Sequence, residues 1–477
     1  MLQHNFKYET KTLFRSRWIQ FLSLILMLLL LFAGYNGKQK VAKRQADINT
    51  AYQEMQEADE LMLKLLDSVQ RGLTVSVPRW TIPTSPMSVG NYYPRAVAME
   101  PTAAAFLATG QSDIFTHIVK PTASGDDFTL NYTEMTSPVQ LLFGSFDLSF
   151  VIIYLLPLMI IAFSYNVLSS EREQGSLPLL ASQPVSIYQW VLQKIAIRFF
   201  WIVCIVTVAL FFAFLVNGLA TGQSTKSFSP VWILTVVYML FWFSLAFLIN
   251  LWAGTSAKNA VTLLGFWVLF VLLVPSVLNQ LSSTVYPMPS RTKLVNDMRT
   301  LKAEAAKEQD KILNSYLRDH PEYAIADTTQ SRNFWHRFMA SQLLVKKELT
   351  PTLESFEQQL KKQQKLTTQW QWTSPSIMIQ QSFNEIAGTS TTAYEDFRKQ
   401  VLGFATTWRT HFLPMLYNNQ LFSTEKYPEL PQFRYKAPST IPILSIVLSI
   451  IGISALLILA SWLILKASLK QNQVIIS

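Results

Sequence analysis

The chain has a single cysteine in 477 residues, Cys204, and it falls inside an apolar run. No disulfide can staple the chain internally, so its polar regions must fold on cores of their own. Charge is scarce: 15% of residues are Asp, Glu, Lys or Arg, against 50% hydrophobic. There is no GxxxxGK[ST] loop to cradle a phosphate, and no HExxH, CxxC or GxSxG. The five histidines, His4, His117, His320, His336 and His411, lack metal-ligand spacing. We therefore expect no enzyme activity, no metal and no cofactor. The net charge is +10, yet no basic stripe carries interleaved aromatics, so nucleic acid is not an expected partner.

What is present is grease in long blocks. A bilayer core about 30 Å thick takes roughly 20 apolar residues in helix. Charge-free segments of that kind are Trp18–Tyr35, Leu148–Leu168, Phe199–Val216, Val231–Gly254, Ala260–Leu281 and Ile441–Leu465. The first is too long for a signal-peptide core and has no small-residue cleavage site behind it, so it reads as a retained span. The expected fold is an all-α polytopic membrane protein with six transmembrane helices and two large external regions. Its parts are an interfacial helix (1–17), a first span (18–36) and an external region (37–147). A second span (148–168), a loop (169–190) and a third span (191–217) follow. A fourth span (231–254), a fifth (259–281), a second external region (282–440), a sixth span (441–465) and a tail (466–477) complete it.

Six spans put both termini on one side and both long polar stretches on the other. Lys and Arg in short loops choose the side. With the termini cytoplasmic, the inner segments hold ten bases: Lys7, Lys11, Arg15, Arg17, Arg172, Lys194, Arg198, Lys258, Lys466 and Lys470. The one short outer loop holds Lys226 alone. Lys38, Lys40, Lys43 and Arg44 dissent at the outer end of the first span, inside a long loop that weighs less. The basicity is mostly a topology signal, with the lipid bilayer, and its anionic lipid, as the partner.

Residues 1–17 place Leu2, Phe6, Leu13 and Phe14 near one helical face, among Lys7, Lys11, Arg15 and Arg17. This suits an interfacial helix; the plainer reading is a basic flank. Beyond the first span, Val41, Ile48, Tyr52, Met55, Met62, Leu66 and Val69 predict one long amphipathic helix that ends at Gly72. Pro78, Pro83, Pro86, Pro94 and Pro101 then predict a loop-rich region with minor β, such as the Leu73–Val77 stretch. The second external region reads as helical. Leu294 to Tyr316, Phe334 to Leu349, and Tyr394 to Phe412 each keep a helical beat, the last closed by Pro414. Its size suggests a core of its own. The sequon at Asn131 carries no weight.

Within the spans, Pro157 removes a backbone hydrogen bond and predicts a helix kink. Asn166, Asn217 and Asn250 sit near span ends, where water or headgroups could satisfy them. No ionisable residue lies deep in a span, which argues against an ion-coupled carrier. Any energy for work must enter from a partner, and the 169–190 loop is the candidate inlet. There Ser170 would cap a helix with Glu171 and Glu173 in its first turn. Leu177, Leu179 and Leu180 would form an apolar side. Gln183-Pro184 would force a turn, and Ser186 would cap the third span. The result is a helical elbow with exposed charges. The plainer reading is a solvated loop. Pro178 inside the elbow is a loose end.

The segment SSEREQGSLPLLASQPVS resembles the loop of ABC-2-type exporter permeases, in which Glu-x-Glu-x-Gly-Thr-Leu leads into a Leu-rich turn and Pro-Val/Ile-Ser. Glu171, Glu173, Gly175, Leu177, Pro184 and Ser186 match; Ser176 stands for the usual Thr, and Pro178 departs. Thr109–Phe115, Ser137–Ser176 and Ser374–Val401 resemble the DUF3526 family. That family resembles permeases linked to multi-copper enzyme maturation and to gliding motility. The resemblance implies a permease in a bacterial inner membrane, with large periplasmic domains. It would pair with a second copy or a sister permease and with cytoplasmic ABC ATPase subunits. Glu171, Arg172, Glu173, Gln174, Gly175, Ser176 and Leu177 would couple to the ATPase. The cargo, or an envelope partner, is unspecified. A mechanical device that moves no cargo, or a scaffold or sensor, are the competing readings.

Overall fold

The computed structural model describes residues 2–110, 112, 116–125, 146–181, 186–219, 222, 224–252, 254–323, 333–437 and 443–470. The Asn131 sequon and the Gln183-Pro184 turn lie outside them. The chain is an all-α polytopic protein. Helices long and apolar enough to span a membrane are Arg17–Gln70, Leu148–Glu173, Ile187–Leu219, Thr225–Trp252, Ser256–Val285 and Ile443–Lys466. The fourth is the axis of the bundle: 72% of its apolar window is buried, against 17% for the fifth and sixth. A continuous core joins its Tyr238, Trp242 and Phe247 to the second and third spans.

The N-terminal helix α1 (Leu2–Arg15) is followed at Ser16 by α2 (Arg17–Gln70), which is the first span and its extension in one helix. The predicted periodicity is real, for Ile48, Met62 and Leu66 are buried. Arg71 caps the helix and Gly72 turns out of it. At Gly37 a Cβ would meet the carbonyl oxygen of Phe106 at 2.1 Å, so only glycine allows that loop to lie against α2.

Two spans widen just before a proline. In the second, a π-helical turn (Val151–Leu155) precedes Leu156–Ser164, which has Pro157 at its second position. In the fifth, a π turn (Val268–Leu273) precedes Val274–Val285, with Pro275 placed in the same way. Proline cannot donate, and the wider turn absorbs the defect. The exposed carbonyls are captured from neighbouring helices. Tyr238 donates its hydroxyl to Ile153 at 3.0 Å, and the Trp267 indole donates to Tyr154 at 3.1 Å.

On the face opposite α1, the two polar regions form a head. The first contributes α3 (Pro86–Tyr92) and a two-residue ribbon, β1 (Val97–Ala98) against β2 (Ile118–Val119), antiparallel with Val97 opposite Val119. The Leu73–Val77 stretch is not a strand. The second contributes α4 (Arg291–Lys307), α5 (Gln309–Asp319), α6 (Phe334–Trp370), α7 (Pro375–Ile386) and α8 (Thr391–Tyr417). The single helix expected over Leu294–Tyr316 is broken at Glu308, and α8 runs three residues past Pro414.

Met298, Ala305, Val345 and Leu349 of α4 and α6 form a small core within the second region, but the larger core is shared by both regions. Met62 and Leu66 of α2, Met87, Val97 and Val119 share one cluster with Phe397, Trp408 and Phe412 of α8. Polar bonds stitch the same seam. Trp408 donates to the Gly90 carbonyl at 3.0 Å and Arg409 to that of Ala123 at 2.9 Å. A fully buried Arg95 pairs with Asp59 of α2, which also accepts from the Tyr427 hydroxyl at 2.9 Å. The Arg95 guanidinium lies 5.7 Å from the Trp408 ring centre and 5.6 Å from that of Tyr427.

Helix α7 belongs to the head by sequence and to the membrane core by packing. Met378, Ile379, Phe383 and Ile386 join the cluster that holds the spans. At its start, Ser374 and Ser376 both donate hydroxyls to the carbonyl of Phe270, in the π turn of the fifth span.

Candidate functional site

The turn after the second span begins with a short helix, Ser169–Glu173, capped by Gln174. Gly175 follows at φ +72°, where nothing crowds a side chain but only glycine is unstrained. The Gly175 N–H bonds the Arg172 carbonyl at 3.1 Å, and the Ser176 N–H bonds that of Glu171 at 3.0 Å. These two bonds are the Schellman closure of a helix end. The fold-back brings the Ser176 hydroxyl onto the Glu171 carboxylate. A threonine would present the same hydroxyl. The Glu-x-Glu-x-Gly-Ser spacing is thus the recipe for this corner. A second short helix, Leu177–Ala181, starts directly behind it. Pro178 stands at its second position, where a missing N–H costs nothing, so the loose end in the sequence is a helix start.

The structure corrects several expectations. Ser170 is not a cap; Leu168 holds that position with no side-chain bond. Ser186 does precede the third span's helix, but its hydroxyl makes no cap bond. The charges of the elbow are largely turned inward. Glu171 accepts from Lys194 Nζ at 2.9 Å. Arg172 donates to the Gly254 carbonyl at 2.9 Å. Glu173 is exposed, yet its oxygens accept from the Ser256 N–H at 2.7 Å and the Ser256 hydroxyl at 2.8 Å. Ser256 opens the fifth span, so Glu173 sits where a helix start favours an anion.

Sequence reasoning missed the partners. Lys194 also lies 3.8 Å from Glu9 of α1, and its ammonium stands 4.0 Å from the Trp190 ring centre. Arg198, one turn on, holds Glu9 through two nitrogens at 3.0 and 2.9 Å and donates to the Phe163 carbonyl. Glu9 is only 2% exposed. The available signal was its solitude: it is the one acid among the first 17 residues. On the other flank, Asn250 is buried rather than wet. It donates to the carbonyls of Ser164 and Ala246 and accepts from the Leu168 N–H. Asn217 likewise donates to the carbonyls of Ala213 and Gly34. Asn259 donates to the Tyr165 carbonyl at 2.8 Å, and Ser169 and Ser256 share a bond at 2.8 Å.

The corner is therefore a hub. One short helix end is tied to the third span and to the junction of the fourth and fifth, and through Lys194 it reaches α1. Leu177 is buried in the membrane core, whereas Gln174, Gly175, Pro178 and Leu179 face out, Leu179 with 73% of its surface. Among the described residues, no three His, Cys, Asp or Glu side chains converge on a metal position. What the hub can do is hold several helices to one rigid point that carries a small apolar knob.

Residues 291–436 match a family model, the domain of unknown function DUF3526. The DUF3526 segment holds α4 to α8, and with them α7 and both serines that reach Phe270. It stops short of the 169–181 hub, which lies in another part of the chain. No curated protein and no solved structure matches the chain.

Proposed function

We propose that the chain is the membrane-spanning permease subunit of an ATP-driven exporter of the ABC-2 type. In this reading a separate cytoplasmic ATPase seats on the exposed surface of Gln174–Leu179. The observation that carries it is the hub. A surface meant to receive a push should be locally rigid, small and bonded to several spans, and this corner is all three. The DUF3526 match and the loop's resemblance to ABC-2 permeases support the same reading. It implies a bacterial inner membrane, a cytoplasmic hub, a periplasmic head and a second permease subunit.

A second reading draws on the head. Its joint core, its attachment to the fifth span through α7, and the unbroken α2 suit a machine that moves an envelope partner and transports nothing.

The deciding experiment co-expresses the tagged protein with candidate ABC ATPase subunits from the same cells, purifies any complex into nanodiscs and measures ATP hydrolysis. Hydrolysis by the complex that falls to the level of the ATPase alone in Leu179→Asp supports both ATP-driven readings. No stable complex, or full activity in Leu179→Asp, sinks them. Export assays with head-movement probes then separate the two.

A further inference from the structure

Helix α1 presents a face of one sign. Lys7, Lys11 and Arg15 of α1, continued by Arg17 at the start of α2, are all exposed, and none has an ion-pair partner among the described residues. The one carboxylate, Glu9, is turned inward and neutralised by Arg198 and Lys194. Beside the bases stand aromatic rings that the fold leaves largely exposed: Phe6, Tyr8 and Phe14 of α1, and Trp18 and Phe21 at the start of α2.

The depth of α1 follows from its contacts. Glu9 meets Arg198, and the Phe14 ring meets that of Trp201 edge-on at 4.8 Å. Ser23 of α2 bonds the same Trp201 indole at 3.1 Å. Arg198 is the last charge before the third span turns apolar at Phe199. Helix α1 thus lies level with the polar-to-apolar border. Rings and cations at that level match the two layers of a lipid headgroup region, with rings toward the acyl boundary and cations among phosphates.

Lys194 adds a second element. Its ammonium lies between Glu9 of α1 and Glu171 of the hub, at 3.8 and 2.9 Å. The position of α1 therefore sets how much of this buried cation is left to Glu171. We propose that α1 is a docking surface for anionic phospholipid headgroups, and that its seating is passed to the hub through Glu9 and Lys194. Neither step depends on an ATPase gripping the hub.

The test uses the full chain in nanodiscs of phosphatidylcholine, alone or mixed with phosphatidylglycerol. Native mass spectrometry reads retained lipid, and hydrogen exchange reads the amides of 169–177. Wild type should retain phosphatidylglycerol over phosphatidylcholine. The variant Lys7→Gln/Lys11→Gln/Arg15→Gln/Arg17→Gln should lose about tenfold or more of that preference, and Lys7→Arg/Lys11→Arg should keep it. Phosphatidylglycerol should slow exchange across 169–177. Glu9→Gln, and independently Glu171→Gln from the other end, should abolish that slowing while lipid preference persists. Equal retention of both lipids, or an undiminished preference in the quadruple variant, overturns the docking surface. Slowing that survives in both Glu variants overturns the link.

Discussion

Ser376 donates its hydroxyl to the carbonyl of Phe270 at 2.6 Å, and Ser374 does the same from the residue before the α7 helix begins. In the π turn, the Val274 N–H reaches back five residues to Leu269. The next donor in that series would serve Phe270, but it is Pro275. The two serines of the head stand in for a missing N–H of the fifth span. Ser374→Ala/Ser376→Ala should lower stability by about 1–3 kcal/mol, the cost of a stranded carbonyl. In a Pro275→Ala background the same pair should cost little, since the substituted residue regains an N–H of its own. Thermal unfolding of the four variants in one detergent checks the cycle; equal losses in both backgrounds would refute the substitution.

The Arg95–Asp59 pair should be costly to break and cheap to replace. Removing one partner strands a buried charge, at about 3–5 kcal/mol. Arg95→Met alone should therefore loosen the head, read as faster limited proteolysis between α2 and α8. Arg95→Met/Asp59→Leu should recover most of the loss.

His117 gives the head an acid sensitivity. Burial first, then the nearby Arg44 charge, pushes its pKa down to about 3, against a weaker opposing bond from the Ser112 backbone. The folded state keeps the ring neutral, while an unfolded chain protonates it near its ordinary 6.5. Its contribution is complete above about pH 6.5 and erodes as pH falls toward 3, by up to ~1.4 kcal/mol per pH unit. Unfolding midpoints from pH 8 to 4 should fall less steeply in His117→Gln than in wild type.

At the hub, substitutions should separate by what they touch. Leu179→Asp should leave folding unchanged and abolish association with the ATPase proposed above. Gly175→Ala should cost about 1 kcal/mol from its left-handed backbone. Glu171→Ala should destabilise through Lys194, so lost activity there would not by itself report a partner contact. Comparing unfolding midpoints with co-purification yield for the three resolves the two effects.

The six spans and the long amphipathic run of α2 were legible because each is a local pattern that neighbouring residues repeat. Helix α7 was not. Pro375–Ile386 is too short to read as a span, and Gln380, Gln381 and Asn384 give it a polar look. Its place among the spans depends on Phe270, about a hundred residues away. The head's joint core was hidden for the same reason: Trp408 meets Gly90 and Tyr427 meets Asp59 across more than three hundred residues. The Glu-x-Glu-x-Gly corner could be read as a capped turn with charges. That Glu171 and Arg172 turn inward depends on Lys194 and Gly254, and the bond that holds exposed Glu173 depends on Ser256; no short window reveals these roles.

Helix α2 has a mechanical consequence. It runs unbroken from the lipid into the head, and about 35 of its residues, roughly 50 Å, extend past Tyr35. A tilt of only about 10° at the membrane would sweep the far end, where Met62 and Leu66 sit in the head's core, through some ~9 Å. The helix has no proline along its length, so it lacks the commonest source of a kink. A displacement too small to open a path through the bundle would still arrive at the top of the molecule as a stroke wider than a helix radius.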